Sequence, residues 1–245
     1  MILYSATDVG RVRKVNQDYV FASNKPVGKL PNLLIVADGM GGHNAGDRAS
    51  SYAAEVMLET IEKSKERNPV KNLRHAIEAA NQKVFEEAGS EEKYRGMGTT
   101  IVAATVVKGI LHVANVGDSR LYVVGNRIRQ ITEDHSLVEE MVRLGNLSKE
   151  EARCHPDRNI ITRAVGVESK VKIDFFEWKL QKEDIVLMCS DGLSGMVDDV
   201  KIQQIIQEYS DLQQAGECLI ETARENGGRD NITVLLAKMR SDEVR

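Results

Sequence analysis

The sequence predicts an α+β fold, on three observations. Strand-like and helix-like segments come in blocks rather than in strict alternation. β-Branched runs broken by Gly109, Gly117 and Gly125 fill the middle of the chain, from Thr99 to Asn126. Ahead of that block, two stretches repeat apolar residues at the three-and-four spacing of amphipathic helices. In 47–67 the stripe is Ala49, Ala53, Val56, Met57 and Ile61, stopping before Pro69. In 70–89 it is Leu73, Ile77, Ala80 and Val84, with Gly89 as the stop, so two long helices are expected side by side.

The runs TTIVAATVV, GILHVANVG and SRLYVVGN are expected to form a meander of antiparallel strands. Capping-box spacing at Ser136 to Glu139 and at Ser148 to Glu151 predicts two short helices within 136–153. Strands resume at VKIDFFEWKL and DIVLMCS, helices return at 198–208 and 211–225, and NITVLLAKM supplies the last strand.

Composition narrows the function classes. The 245 residues carry 33 basic and 37 acidic side chains, a formal charge of -4, with 42% apolar residues, as in an ordinary soluble globular protein. That balance gives little attraction to a polyphosphate, so nucleic acid is not the expected partner. LLIVA at 33–37 and IVAATVV at 101–107 fall far short of the ~18 apolar residues of a membrane span. The amino terminus shows no apolar h-region, so secretion is not expected. Cys154, Cys189 and Cys218 form an odd set without CxxC spacing, which predicts core thiols in a reducing cytoplasm. Only 4 prolines and no linker-like stretch point to one domain over 1–240 and a polar tail at 241–245.

The aspartates are the informative feature. Apolar runs end abruptly at Asp38, Asp118 and Asp191, Asp230 immediately precedes NITVLL, and Asp8 and Asp18 flank the first strand. A carboxylate at the end of a buried strand costs several kcal/mol unless it is paired, hydrogen-bonded or bound to a cation. Each alone reads as a turn residue, since Asp-Gly is a common turn dipeptide. Together, with no basic cluster in sight to neutralise them, they predict an oxygen-ligated site for magnesium, manganese or calcium. The 5 histidines form no HExxH pair and no EF-hand loop is present, which disfavours zinc hydrolysis and a calcium sensor. Aspartates from separate strands suit two ions at ~3.5–4 Å, the arrangement for in-line attack of water on phosphorus. Such chemistry needs a guanidinium for the nonbridging oxygens; Arg13, five residues before Asp18 in a segment read as extended, is the candidate.

The same residues carry a resemblance. R-x-x-N-Q-D at Arg13, Asn16, Gln17 and Asp18, V-A-D-G-M-G-G-H at 36–43, G-D-S-R at 117–120, S-D-G-L at 190–193 and R-D-N-I-T-V at 229–234 together resemble the metal-dependent PPM (PP2C-type) protein serine/threonine phosphatases, in their compact bacterial branch. The likeness runs from about Asp8 to about Leu236. It implies a four-layer αββα sandwich, two antiparallel β-sheets flanked by helices, with a small helical flap at about 137–163. It further implies a binuclear Mn2+ or Mg2+ centre at one end of the sandwich: Asp38 bridging two ions, the Gly39 carbonyl on the first, and Asp18, Asp191 and Asp230 on the second, partly through water. A third, weaker ion is implied beside Asp118 and Asp191. Arg13 resembles the phosphate clamp, and Asn16 and Asn231 take supporting places.

One position departs from the eukaryotic pattern, which has His after the Asp-Gly pair. Here that residue is Met40, whose thioether donates no proton, so protonation of the leaving oxygen is expected from metal-bound water or His43. The function implied is hydrolysis of phosphoserine and phosphothreonine by a metal-activated water, without a phosphoenzyme. Its implied partners are phosphorylated proteins including a receptor-type serine/threonine kinase, and a monomer is expected. The flap is expected to gate or select the phosphopeptide. A catalytically silent docking module would be expected to have lost a metal carboxylate, and a metal nuclease would need positive surface; neither matches the chain.

Overall fold

The computed structural model describes residues 1–42 and 45–239; the tail expected at 241–245 lies outside the described residues. In chain order the elements are β1 (Ile2–Asp8), β2 (Asp18–Ser23), β3 (Leu33–Met40), α1 (Ala45–Lys63), α2 (Pro69–Ala88), β4 (Gly98–Thr99), β5 (Ile101–Val107), β6 (Ile110–Val116), β7 (Arg120–Val124) and β8 (Ile128–Gln130). They continue as α3 (Leu137–Arg143), α4 (Lys149–Cys154), β9 (Asp174–Lys179), β10 (Ile185–Cys189), α5 (Asp191–Ser194), α6 (Asp199–Glu208), α7 (Leu212–Glu225) and β11 (Ile232–Lys238).

Local chemistry sets the helix ends. α1 stops at Lys63, four residues before the expected 67, because polar side chains take over the backbone donors. Ser64 Oγ accepts the Glu66 N–H, and the Glu66 carboxylate accepts the Asn68 N–H. Asn68 then caps α2 by accepting from the Lys71 N–H, with Pro69 in the first turn, where a missing N–H costs nothing. Ser136 caps α3, and Ser148 with Glu151 forms a complete capping box on α4, as their spacing predicts.

The strands build two antiparallel sheets, ordered β1-β11-β10-β7-β8 and β2-β3-β5-β6-β9, with β4 paired to β3. Each central strand is buried on both faces. Along β3, Leu33, Ile35 and Ala37 pack under α1 and α2, while Leu34 and Val36 point into the space between the sheets. Along β11, Ile232, Val234 and Leu236 pack under α6 and α7, while Leu235 and Ala237 face the other sheet. Two-sided burial is why these strands read as continuous apolar runs. The layers run helix, sheet, sheet, helix, which is the αββα sandwich.

One expectation fails in an instructive way: the block from Thr99 to Asn126 is not a meander. β5 and β6 form a hairpin whose turn uses positive φ at both Lys108 (52°) and Gly109 (77°), the combination that matches strand twist. At Gly117–Ser119 the chain then leaves that sheet, and β7 pairs with β10 and β8 of the other. Gly117, at φ 108°, makes this corner. A glycine before an aspartate reads the same in sequence whether the strand turns back or crosses over. The crossing places Asp118 between the two sheets.

Candidate active site

At one end of the sandwich the strand termini converge. Asp18 opens β2 directly opposite Asp38 at the end of β3. Asp191 is the first residue of α5, immediately after β10, and Asp230 precedes β11, the neighbour of β10. Asp8 stays outside: its carboxylate accepts the Gly10 N–H at 2.8 Å and faces Arg224 at 3.7 Å, so there the turn reading holds.

Each acid is oriented by its neighbours. Asp18 is buried, and its Oδ2 accepts from Ser190 Oγ at 2.7 Å and Thr233 Oγ1 at 2.6 Å. Thr233 in turn contacts Thr7 Oγ1 at 2.8 Å, which accepts from Asn16 Nδ2 at 2.8 Å. Because Asn16 Nδ2 only donates and an ionised Asp18 oxygen only accepts, every hydroxyl in this chain has a fixed direction. Asn16 also accepts the Asp18 N–H at 3.1 Å. With Oδ2 saturated, Oδ1 of Asp18 is buried without a hydrogen-bond partner, and so is Oδ1 of Asp191. Asp38 is fixed through its backbone: its N–H goes to Thr100 Oγ1 at 3.0 Å and its carbonyl accepts the Thr100 N–H at 2.8 Å. Gly39 lies so close to Gly46 that a Cβ there would sit 2.0 Å from the Gly46 carbonyl oxygen.

Asn231 organises the β1–β2 loop. Its Oδ1 accepts the Gln17 N–H at 2.8 Å, and its Nδ2 donates to the carbonyls of Val9 and Val15 at 3.0 Å each. Arg13 is therefore presented from a bent loop, not from the extended segment expected. It still reaches the cluster, donating from Nη2 to Asp230 Oδ2 at 2.8 Å. The expected absence of a basic cluster is qualified by two single residues: Arg13 pairs with Asp230, and Arg120, bound to Asp134 at 2.7 Å within a network including Tyr122 and Asp199, adds its charge beside Asp118 and Asp191. The cause is folding distance: Arg13 is 217 positions from its partner. Of the cysteines, Cys189 is buried, but Cys218 is half-buried and Cys154 is exposed at the end of α4, so only one fits the core-thiol reading.

The electrostatics record the convergence. Burial, followed by the charges of Asp18, Asp191, Asp118 and Asp230, holds the Asp38 carboxyl well above the ordinary range. Burial pushes Asp18 up to about 7, with Asp191 and Asp230 adding to it against the two hydroxyl donors. Burial with Asp191 and Asp134 pushes Asp118 up to about 8, and burial with Asp230 pushes Asp191 up to about 6. Among the described residues, no three Asp, Glu, His or Cys side chains already close around one metal position; Asp38 and Asp191 instead lie within hydrogen-bonding reach of each other. Hard acceptor oxygens, mutually repelling and in two cases buried without a donor, suit a divalent cation of the magnesium or manganese type.

A cleft of about 550 Å³ leads from Asp118 and Asp191 to α3 and α4, with Arg153, Arg158, Arg163 and Lys172 among its walls. Met40 borders a second cavity of about 320 Å³ beside Ile161 and Val167. His43 lies outside the described residues. Sequence reasoning missed Thr7, Ser190 and Thr233; the available signal was a hydroxyl inside or beside an otherwise apolar strand.

Comparison with known proteins agrees with this architecture. The family model for protein phosphatase 2C matches residues 10–237. The serine/threonine phosphatase stp of Listeria welshimeri is 43% identical over 241 residues, covering 95% of this chain and 93% of its own. The crystal structure of the serine/threonine phosphatase Stp1 from Staphylococcus aureus superposes with a TM-score of 0.91 at 36% identity, over 98% of this chain and 95% of that one. The catalytic domain of the serine threonine protein phosphatase PstP, solved in complex with two manganese ions, superposes with a TM-score of 0.85 at 31% identity, over 97% of each chain. The family match and the relatives named as serine/threonine phosphatases, on this same architecture, make the chain a hydrolase of phosphoproteins. The chain belongs to the protein phosphatase 2C family.

Proposed function

We propose that this chain hydrolyses phosphoserine and phosphothreonine in proteins at a binuclear Mn2+ or Mg2+ centre. Asp38 would bridge two ions, the Gly39 carbonyl would serve the first, and Asp18, Asp191 and Asp230 the second, with a weaker third ion beside Asp118 and Asp191. The convergence of these carboxylates, with Oδ1 of Asp18 and of Asp191 buried and unpartnered, carries the reading. When bound, the ions supply charge neutralisation of the phosphate and an acidified water as nucleophile.

The chain's own groups do the rest. Thr233 and Ser190 hold one oxygen of Asp18, which leaves the other directed at the cluster. Asp230 holds Arg13 beside the acidic cluster, where its planar fork suits two nonbridging phosphate oxygens. Met40 donates no proton, so protonation of the leaving oxygen falls to another group; the sequence points to His43 or solvent. The helices α3 and α4 form the flap that selects the phosphopeptide.

The partners are phosphorylated proteins, a serine/threonine kinase among them, met by a monomer of one domain in the cytoplasm. No helix among the described residues is long and apolar enough to cross a membrane. The test is hydrolysis of a phosphothreonine peptide with manganese, with and without chelator. Turnover should vanish on chelation and return with added metal; turnover indifferent to the chelator would overturn the reading.

A further inference from the structure

We propose that His135 is a positioning residue: a neutral imidazole that pins the Gly117 peptide and thereby sets the direction of the Asp118 carboxylate. This rests on the reading of Asp118 as a cation ligand. Asp118 sits at the corner where the chain crosses between the sheets, outside either ladder, so no strand fixes its side chain. Its direction depends on the residues on either side. Ser119 Oγ is paired with Thr100 Oγ1 at 2.8 Å, and Thr100 Oγ1 accepts the Asp38 N–H. Gly117, with φ 108° and Thr100 Cγ2 2.5 Å from where a Cβ would lie, must be glycine and so has the loosest backbone.

His135 removes that freedom from both sides. The Gly117 N–H points at its Nδ1 at 3.0 Å, and the Gly117 carbonyl accepts the His135 N–H at 3.0 Å. An amide N–H only donates, so Nδ1 is bare and the ring proton is on Nε2. That proton goes to Asp174 Oδ2 at 2.9 Å, an oxygen that also accepts from Arg163 Nη1 at 3.1 Å. The carbonyl of His135 accepts the Thr162 N–H at 2.8 Å, and the next residue caps α3. His135 itself is buried, which holds its pKa below the ordinary imidazole value. The ring therefore joins the flap-side pair Arg163–Asp174 to the peptide that precedes Asp118. Neither G-D-S-R nor the flap sequence at 137–163 alone reveals it.

Two substitutions separate the contact at Nδ1 from those at Nε2, where Arg163 Nη1 also lies at 3.1 Å. Asn places Oδ1 where Nδ1 was and keeps an acceptor for Gly117; Gln reaches toward Asp174 but leaves the Gly117 N–H unpaired. Titration of chelator-treated protein with Mn2+ by calorimetry should show the weakest binding event lost in Asp118→Asn. His135→Gln should weaken that same event about ten- to hundred-fold, the usual cost of a lost supporting contact, with the tighter events kept. His135→Asn should stay near wild type. Imidazole 15N shifts of the unmodified protein should show Nε2 protonated and Nδ1 bare. Unchanged affinity in the Gln variant, equal loss in both variants, or a proton on Nδ1 would overturn the proposal. If the Gln variant fails to fold, retained weak binding in the Asn variant supports it and loss there overturns it. If Asp118→Asn changes no event, the ligand reading itself fails and takes this inference with it, whatever the tautomer.

Discussion

Replacing Thr233 with valine removes a single hydroxyl from a fully buried β11 position and leaves the branched shape that packs in the sheet. The lost oxygen donates to Asp18 Oδ2 at 2.6 Å and takes the Thr7 hydroxyl proton at 2.8 Å. A hydrogen bond to a charged group contributes about 1.5–3 kcal/mol. Ser190 remains as the other donor to Oδ2, so the carboxylate is loosened rather than stranded. The Thr233 bond lowers the Asp18 pKa, and without it the carboxyl rises further above about 7 in the metal-free protein. Protons then compete harder with the cation at neutral pH. Both effects weaken metal binding, and together they amount to about ten- to hundred-fold in the manganese concentration needed for half activation. The assay is phosphopeptide hydrolysis against manganese concentration: the activation midpoint should rise while the rate at saturating metal changes little. An unmoved midpoint would refute the argument that the Thr233 hydroxyl orients a ligand, and a collapse of the saturated rate alone would assign it a different role.

Three further outcomes follow from the same geometry. Asp38→Asn, which removes the charge at the centre of the cluster, should lower the phosphopeptide rate by roughly two or more decades at saturating manganese. In chelator-treated protein, Asp18, Asp118 and Asp191 hold protons more tightly folded than unfolded, so stability is greatest below the ordinary carboxyl range and falls as pH rises toward about 8. The melting temperature should therefore drop between about pH 5 and about pH 8, and manganese should restore most at the upper end; a rising or level profile would contradict the assigned burial. Replacing residues 145–160 of the flap with a short linker should change selectivity among phosphopeptides more than hydrolysis of a small aryl phosphate; equal losses on both would count against a selecting role.

The layers and the main elements were legible because burial writes itself into the pattern: stripes in α1 and α2, and unbroken apolar runs in β3, β5 and β11, whose two faces are both covered. The aspartates stood out because a charge at the end of such a run is costly unless a donor or a cation holds it. What the sequence hid was long-range or directional. Gly117 looked like a hairpin turn and is a crossing between sheets. Asp8 looked like a further member of the acidic set but caps a local turn, accepting the Gly10 N–H two residues on, a contact that its place at a strand end does not reveal. Arg13 was found but wrongly placed on an extended segment, because the carbonyls gathered by Asn231, 216 positions from Val15, bend the loop. His135 carried no periodic or motif signal of its own beside Ser136, the cap of α3.

Anomalous diffraction from crystals soaked in manganese tests the central claim most directly. Two strong peaks about 3.5–4 Å apart are expected, with the Asp38 carboxylate between them and Asp18, Asp191 and Asp230 around one. A single peak, or ions bound away from Asp38, would contradict it.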